Sequence, residues 1–504
     1  MKRRRFRVIA RKVGGAMGMF AAMQFCLLTP AHAESPGNGV LPGAATCVAL
    51  GDSLTFAYEA AFGFRLQVPS FGSIGDGFGP EVRNWMEILR DPAYRGDHFD
   101  FGAREMYRIS IPDGDEEDVL FRHQYNWALP GLRIGELRGF LEGTLTFDDL
   151  LSVNALLGPL VSLSDLDKTT AFELADLEEQ IRHTANRLVF FIGGNDVRTV
   201  YRSIYRGNSP AAFIEAFAAD AEAILDILLA LNPELPVVVV SVPHIGITPD
   251  IKSSFPTTPV GTGRVTAALS ELNRRLKSLA DARGYGFADI FTPTLPMLAE
   301  APFSIQGIPF ANSGSNTGDL GFVWLNGGLS ANFHPNTNGQ AVIANEIIDA
   351  FNTRYDAGIA PLTATEILGG LLGKSPSEID MTFEAWMASY GLAGLGPEDD
   401  SDGDGLPAIV EFALGLNPLL HDSRKVSYRL RATESGRRLE LSYPLRLPSS
   451  ARFHLAATFT TDLNTPFAPI LPPPPPGPDG LFRVSISLEN HPRAFLRLEA
   501  EQMP

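Results

Sequence analysis

Four short stretches of this 504-residue chain carry the residue types that acyl transfer requires. Gly51-Asp52-Ser53-Leu54-Thr55 directly follows an apolar run, Cys47 to Leu50. A serine at a strand-to-helix turn is held out at the carboxyl edge of a sheet, where backbone amides and a helix N-terminus stabilise negative charge. The blander reading of the same residues is a helix N-cap. Asn126-Trp127-Ala128-Leu129-Pro130-Gly131 places a glycine amide in a turn. Gly193-Gly194-Asn195-Asp196 follows the run Arg187–Ile192 and offers an asparagine side-chain amide at the same edge. His334-Pro335-Asn336 lies just ahead of a helical segment. Acyl transfer needs a nucleophile, a base for its proton, and donors aimed at the developing oxyanion. Ser53, His334, and the pair Gly131 and Asn195 fill those roles in that order.

A second motif points to a different chemistry. Asp400-Ser401-Asp402-Gly403-Asp404-Gly405-Leu406-Pro407-Ala408-Ile409-Val410-Glu411 matches the twelve-position EF-hand calcium loop without a gap. Asp400, Asp402 and Asp404 fall at positions 1, 3 and 5, the Leu406 carbonyl at 7, and Glu411 at the bidentate twelfth. Three aspartates at alternate positions repel one another unless a cation intervenes; the alternative is a solvated acidic linker. The segment through Asn417-Pro418 resembles calcium-loop segments near the C-termini of exported bacterial proteins, and the role it implies is structural. His98, His123, His183, His421, His454 and His491 are scattered without metal-ligand spacing, which argues against catalytic zinc. His244, after the Val237–Val242 run, reads as a loop histidine at the sheet edge.

These residues need elements to position them. From Ala45 to Tyr355 the chain alternates continuous apolar runs (Cys47–Leu50, Arg187–Ile192, Val237–Val242, Gly286–Ile290) with helical periodicity over Pro210–Leu231, Val265–Arg283 and Thr337–Tyr355. Continuous runs suit parallel strands buried on both faces, and the alternation predicts a doubly wound α/β sheet. Residues 60–125, 140–180 and 295–330 are long for connections and are expected as insertions over the carboxyl edge. Their aromatics Phe62, Phe64, Phe71, Phe78, Trp85, Phe303, Phe310, Phe322 and Trp324 are candidates to line an acyl pocket. After residue 360 the texture changes to a short helix at Met381–Leu392, the acidic loop, and alternating strands from 425 to 504 with the polyproline run Pro472–Pro476. The expected divisions are a leader 1–33, a hydrolase domain 34–358, a linker 359–424 carrying the calcium loop, and a small C-terminal all-β domain 425–504.

Composition sets outer limits. The chain is 45% hydrophobic and 20% charged, too apolar for a disordered polymer, with a formal net charge of -17. Seven basic residues without an acidic partner precede position 34, ahead of the apolar stretch Val13–Leu28 and the small-x-small site Ala31-His32-Ala33. This pattern predicts a signal peptide and a mature chain from Glu34, exported to the periplasm or beyond. Without the leader, 34 basic residues face 58 acidic ones, which excludes nucleic acid as a natural partner. No later tract is apolar enough to span a bilayer. Cys47 is then the only cysteine, so no internal disulfide is available.

Together, Gly51-Asp52-Ser53-Leu54, Asn126 with Gly131, Gly193-x-Asn195-Asp196 and His334-Pro335 resemble, in order and context, the GDSL-type or SGNH hydrolases. The resemblance covers residues 45–355, with Val239 to Gly246 similar to the family's fourth strand and its exit. It implies a flavodoxin-like three-layer α/β/α sandwich that hydrolyses esters through an acyl-serine. Ser53 would be the nucleophile and His334 the base, with the Ser53 amide, Gly131 amide and Asn195 side chain as oxyanion hole and no catalytic cofactor. One position departs: the family's aspartate three residues before the histidine is Ala331 here. A backbone carbonyl near Ala331, a carboxylate from elsewhere such as Asp319, or lost activity are the three ways to read it. The leading expectation is an exported, calcium-stabilised esterase acting on a lipid, small acyl or acylated-carbohydrate ester. A polysaccharide deacetylase whose β domain binds carbohydrate, and a non-catalytic binding protein on a hydrolase scaffold, are the alternatives.

Overall fold

The computed structural model describes residues 28–30, 44–61, 78–110, 116–146, 149–150, 173–299, 301–315, 317–326, 331–433, 436–446, 453–470, 477, 481–489 and 493–502. The central sheet has four parallel strands, β1 (Cys47–Gly51), β2 (Arg187–Phe191), β3 (Val237–Val240) and β4 (Gly286–Ala288), in that order. Beyond β1 the chain at 125–129 runs parallel to it. Ala49 N–H donates to the Tyr125 carbonyl (2.9 Å), Trp127 N–H to the Ala49 carbonyl (2.8 Å), and Leu129 N–H to the Gly51 carbonyl (3.2 Å). With this edge counted, the spatial order places the second segment outside the first, as in a flavodoxin-like doubly wound sheet.

The strand pleat sorts side chains into two cores. Val48, Leu50, Leu188, Phe190, Val237 and Val239 point to one face, against helices α2 (Ile134–Leu141), α3 (Gly194–Tyr205), α4 (Ala211–Leu231) and α5 (Pro259–Ala282). Cys47, Ala49, Val189, Phe191, Val238 and Val240 point to the other, against α1 (Trp85–Arg90) and α6 (Thr337–Tyr355). This double burial is why the strands read as unbroken apolar runs, and it makes the α/β/α sandwich. Helix α5 starts six residues ahead of the predicted Val265, because Thr258 caps it and Pro259 occupies its first turn.

The insertion at 60–125 departs from expectation. Part of it forms α1, whose Trp85, Met86, Ile88 and Leu89 fill the second core, so it supplies a layer helix as well as surface. A further part forms a hairpin, Arg104–Ser110 with Glu116–His123, and Leu28–Pro30 of the expected leader lies antiparallel to its first strand. Within insertion 295–330 lie β5 (Phe303–Ile305), β6 (Ile308–Ser315) and β7 (Phe322–Leu325).

The expected linker 359–424 is divided between cores. Ile359, Leu362, Ile367, Leu368 and Leu372 pack under the sheet, whereas Phe383, Trp386 and the helix α7 (Ala408–Leu414) pack with the C-terminal strands. Those strands form two antiparallel three-stranded sheets. One holds β8 (Ser427–Thr433), β9 (Gly436–Tyr443) and Phe482–Ser487; the other holds Ala468–Pro469, Phe453–Thr460 and Phe495–Gln502. Leu441 and Val484 of one sheet meet Ala457 and Leu496 of the other around α7. Trp386 Nε1 and Tyr390 Oη both donate to the Gly307 carbonyl in the β5–β6 turn (2.7 and 3.1 Å). Pro472–Pro476 lies outside the described residues. Among the described residues no helix is long and apolar enough to cross a membrane.

Candidate active site

At the tip of β1 the backbone turns sharply. A Cβ on Gly51 would lie 2.5 Å from the Phe191 carbonyl oxygen and 2.6 Å from Thr55 Oγ1, so only glycine fits. Thr55 and Phe56 N–H both return to the Asp52 carbonyl. Within this turn Ser53 is partly exposed, while Asp52 and Leu54 on either side are buried. The regular helix begins only at Tyr58, so Ser53 sits on a turn rather than capping a helix directly.

The carboxylate of Asp52 joins this turn to the next strand exit. It accepts the Leu54 N–H (3.0 Å) and takes backbone hydrogen bonds from Gly193 and Gly194, at the start of α3. Burial lifts it to about 7 against the pull of those donors. Gly193 has φ +126°, and a Cβ there would meet Val242 at 2.7 Å and Phe217 at 3.0 Å. That conformation swings the chain from β2 into α3 and puts Asn195 in its first turn.

Asn195 Nδ2 donates one hydrogen to the Leu132 carbonyl (3.1 Å), next to Gly131. A primary amide has two hydrogens, and this bond uses one of them. Asp196 accepts the Ile134 N–H with both oxygens (3.3 and 3.2 Å), and burial raises it to about 6. The Gly131 turn is thereby tied to α3; Gly131 itself has φ +81°. Asn126 acts inside the fold: its Nδ2 donates to the Thr55 carbonyl (2.9 Å) and its Oδ1 accepts Ala128 N–H.

His334 follows a 3₁₀ turn, Ala331–Phe333. Its ring is buried among Tyr58, Phe78 and Phe333, with centroids 6.2, 5.9 and 6.0 Å away. The Leu325 N–H holds its carbonyl (3.1 Å). Phe333 touches α3: its ring lies 3.5 Å and Asp52 Oδ2 3.6 Å from where a Cβ on Gly194 would stand. The loops of Ser53, Asn195 and His334 therefore meet around Gly194, with Gly131 tied in through Asn195 and Asp196. Asp319 reaches the His334 loop through its main chain, its carbonyl accepting Asn336 Nδ2 (2.8 Å), while its Oδ1 accepts Gly321 N–H (2.8 Å).

Beside this junction lies an apolar cavity that opens to solvent. Leu54 borders it on the Ser53 side and Phe333 and Pro335 on the His334 side, with Ile247, Met297, Phe303, Val323, Trp324 and Val342 among the remaining walls. Of the candidate aromatics, Phe303 and Trp324 line it and Phe78 faces His334. Trp85 is instead a core residue packed on Phe101, and Phe310 packs on Phe303. Phe62, Phe64 and Phe71 lie outside the described residues. His244 also borders the cavity, but its ring is committed: Nδ1 accepts Gly246 N–H (3.2 Å) and Nε2 pairs with Thr266 Oγ1 (3.1 Å). Burial lowers it to about 4, so it is neutral.

Tyr58 and Gln340 stand at the His334 loop, a placement that sequence patterning missed. Neither belongs to a motif, and only the fold brings them to the His334 loop. The acidic residues of the 400–411 loop lie apart, against the C-terminal sandwich. There Asp422, outside the twelve-residue loop, joins Asp404 and Glu411 with carboxylate oxygens within 4.8 Å of one another.

No curated protein matches. Several solved structures are similar, among them an extracellular lipase from Streptomyces rimosus, 16% identical, covering 62% of this chain and 100% of its own at a TM-score of 0.29, and a phospholipase A1 from Streptomyces albidoflavus, 17% identical, covering 62% and 99% at 0.31. Residues 165–342, the stretch holding Asn195 and His334, match the model of the GDSL-like Lipase/Acylhydrolase family, and it is to this family that the chain is similar.

Proposed function

We propose that the chain is an exported serine hydrolase that cleaves carboxylic esters with an apolar acyl group. The observation that supports it most is the junction at Gly194, where Asp52 and Phe333 abut, beside a cavity walled by the immediate neighbours of Ser53 and His334. In this reading His334 takes the Ser53 proton as the hydroxyl attacks the ester carbonyl. The oxyanion is met by the Ser53 and Gly131 amides and by the Asn195 hydrogen not committed to Leu132. Collapse expels the alcohol, which takes a proton from His334, and water then releases the acid by the same route.

The apolar walls favour a lipid or long acyl ester over the acetylated polysaccharide, because burying CH₂ groups contributes about 0.8 kcal/mol each whereas a hydroxylated sugar would lose hydrogen bonds there. Hydrolysis of a p-nitrophenyl ester series from acetate to palmitate, with Ser53→Ala as control, tests both points. Turnover lost in the variant and rising towards longer chains is expected. Equal rates in the two proteins, with no fluorophosphonate labelling, would leave the non-catalytic binding protein as the better account. Removal of the leader at Ala33 is part of the proposal, and the N-terminal sequence of the secreted protein checks it.

A further inference from the structure

We propose that Asp400, Asp402, Asp404 and Glu411, together with Asp422 from outside the loop, hold one calcium ion that fastens the C-terminal sandwich. The inference is independent of the esterase reading. Glu411 carries it. Its side chain, on α7, is completely buried, and neither carboxylate oxygen has a hydrogen-bond donor. Asp404 and Asp422 each present an oxygen within 4.8 Å of it and of each other, and Asp404 also completes a second triple with Asp400 and Asp402. Asp422 Oδ1 and Asp402 Oδ2 are likewise buried and without donors.

Backbone N–H groups meet both oxygens of Asp400 and of Asp404 and one of Asp402, so the loop is folded by its own carboxylates while Asp402 Oδ2, Asp422 Oδ1 and both Glu411 oxygens are left without a donor. Asp400 accepts Gly403, Asp404 and Gly405 N–H; Asp402 accepts Asp404 N–H; Asp404 accepts Leu406 and Ser423 N–H. Near Asp422 stands Lys425, whose Nζ is 3.3 Å from its Oδ2. A fully buried carboxylate without donors is costly unless a charge of opposite sign lies against it, and a hard cation takes six to eight such oxygens. With the Leu406 carbonyl at position 7 and Glu411 bidentate, this donor set reaches that number.

Asp422 gives the site its mechanical role. It lies just before β8, on the turn that leads into the first strand of the sandwich, while Glu411 sits among Val410, Phe412 and Ala413 in the sandwich core. One ion would tie loop, core helix and strand entrance together where no disulfide exists.

Calcium binding to the full mature chain, freed of metal by chelator, tests this by calorimetry and thermal melting. One ion per chain and a higher melting temperature in calcium than in chelator are expected, with magnesium giving little shift. Asp422→Asn is expected to weaken calcium at least tenfold. Glu411→Gln removes a buried charge, so it should melt at or above the wild-type temperature in chelator yet gain nothing from calcium. A residue needed only for packing would instead lower the melt in both conditions. No calcium heat and no shift, or undiminished affinity in Asp422→Asn, would overturn the proposal.

Discussion

Tyr58 and Pro335, 277 positions apart, are joined by a hydrogen bond in which Tyr58 Oη donates to the Pro335 carbonyl at 3.1 Å. Gln340 Nε2 donates in turn to Tyr58 Oη at 2.6 Å. The phenol is completely buried and its ring stands edge-on to His334. The segment after Ser53 thus holds the loop of the proposed base from below, and Gln340 fixes the phenol by reaching back from α6.

Tyr58→Phe keeps the ring but strips the Pro335 carbonyl and the Gln340 amide of a partner. Leaving buried polar groups unsatisfied costs about 1–3 kcal/mol. We expect a lower melting temperature and a kcat reduced several-fold with KM little changed, since a loosened His334 loop harms proton transfer rather than acyl binding. If kcat and KM of the folded variant both match wild type, Tyr58 is a packing residue alone.

Asn195→Ala removes the side-chain donor while Asp52 and Asp196 continue to hold the start of α3. Loss of one oxyanion donor typically lowers kcat by about 100-fold or more. Steady-state kinetics on the best ester of the chain-length series measures it, and a loss confined to KM would assign Asn195 to substrate binding.

Val342, on α6, borders the apolar cavity together with Phe333 and Pro335. Val342→Phe should fill part of it and shift the preferred acyl chain shorter, with acetate turnover preserved. An unaltered chain-length profile would show that the acyl group binds elsewhere.

Glu87 provides a pH test away from the reaction. Its carboxylate accepts N–H bonds from Glu59 and Asn84, both at 2.8 Å, yet burial raises it from 4.5 to about 7. The folded state holds this proton more tightly than the unfolded chain, so its stabilising effect is full below pH 4.5 and is lost as pH rises through about 7. The span is on the order of 3 kcal/mol. Buried Asp52 and Asp196 and half-buried Glu346 are also raised and act in the same direction. Denaturant unfolding between pH 4 and 8 should therefore show falling stability, with a shallower slope in Glu87→Gln. An identical slope in the two proteins would mean that Glu87 is ionised throughout.

What the sequence determined by itself is whatever depends on local pattern. Strands buried on both faces must be apolar at every position, so β1, β2 and β3 were legible as unbroken runs, and α6 as a 3.6-residue period ending at Tyr355. The turn residues Gly51, Gly131 and Gly193 mark the exits at which Ser53 and Asn195 stand, because close approach and positive φ constrain residue type locally. Alternate aspartates likewise announced the loop at 400–411. Tertiary structure alone decided the relationships between distant segments. Nothing local says that Trp85 belongs to the core, that residues 359–379 pack under the sheet while α7 joins the sandwich, or that Tyr58 supports the His334 loop. Asp422 is the sharpest instance. Eleven residues beyond Glu411 it fits no loop spacing, and only the packing of α7 against the strand entrance brings its carboxylate to the others. Periodicity and backbone conformation are written in neighbouring residues, whereas which faces meet is settled by burying the largest apolar area across the whole chain.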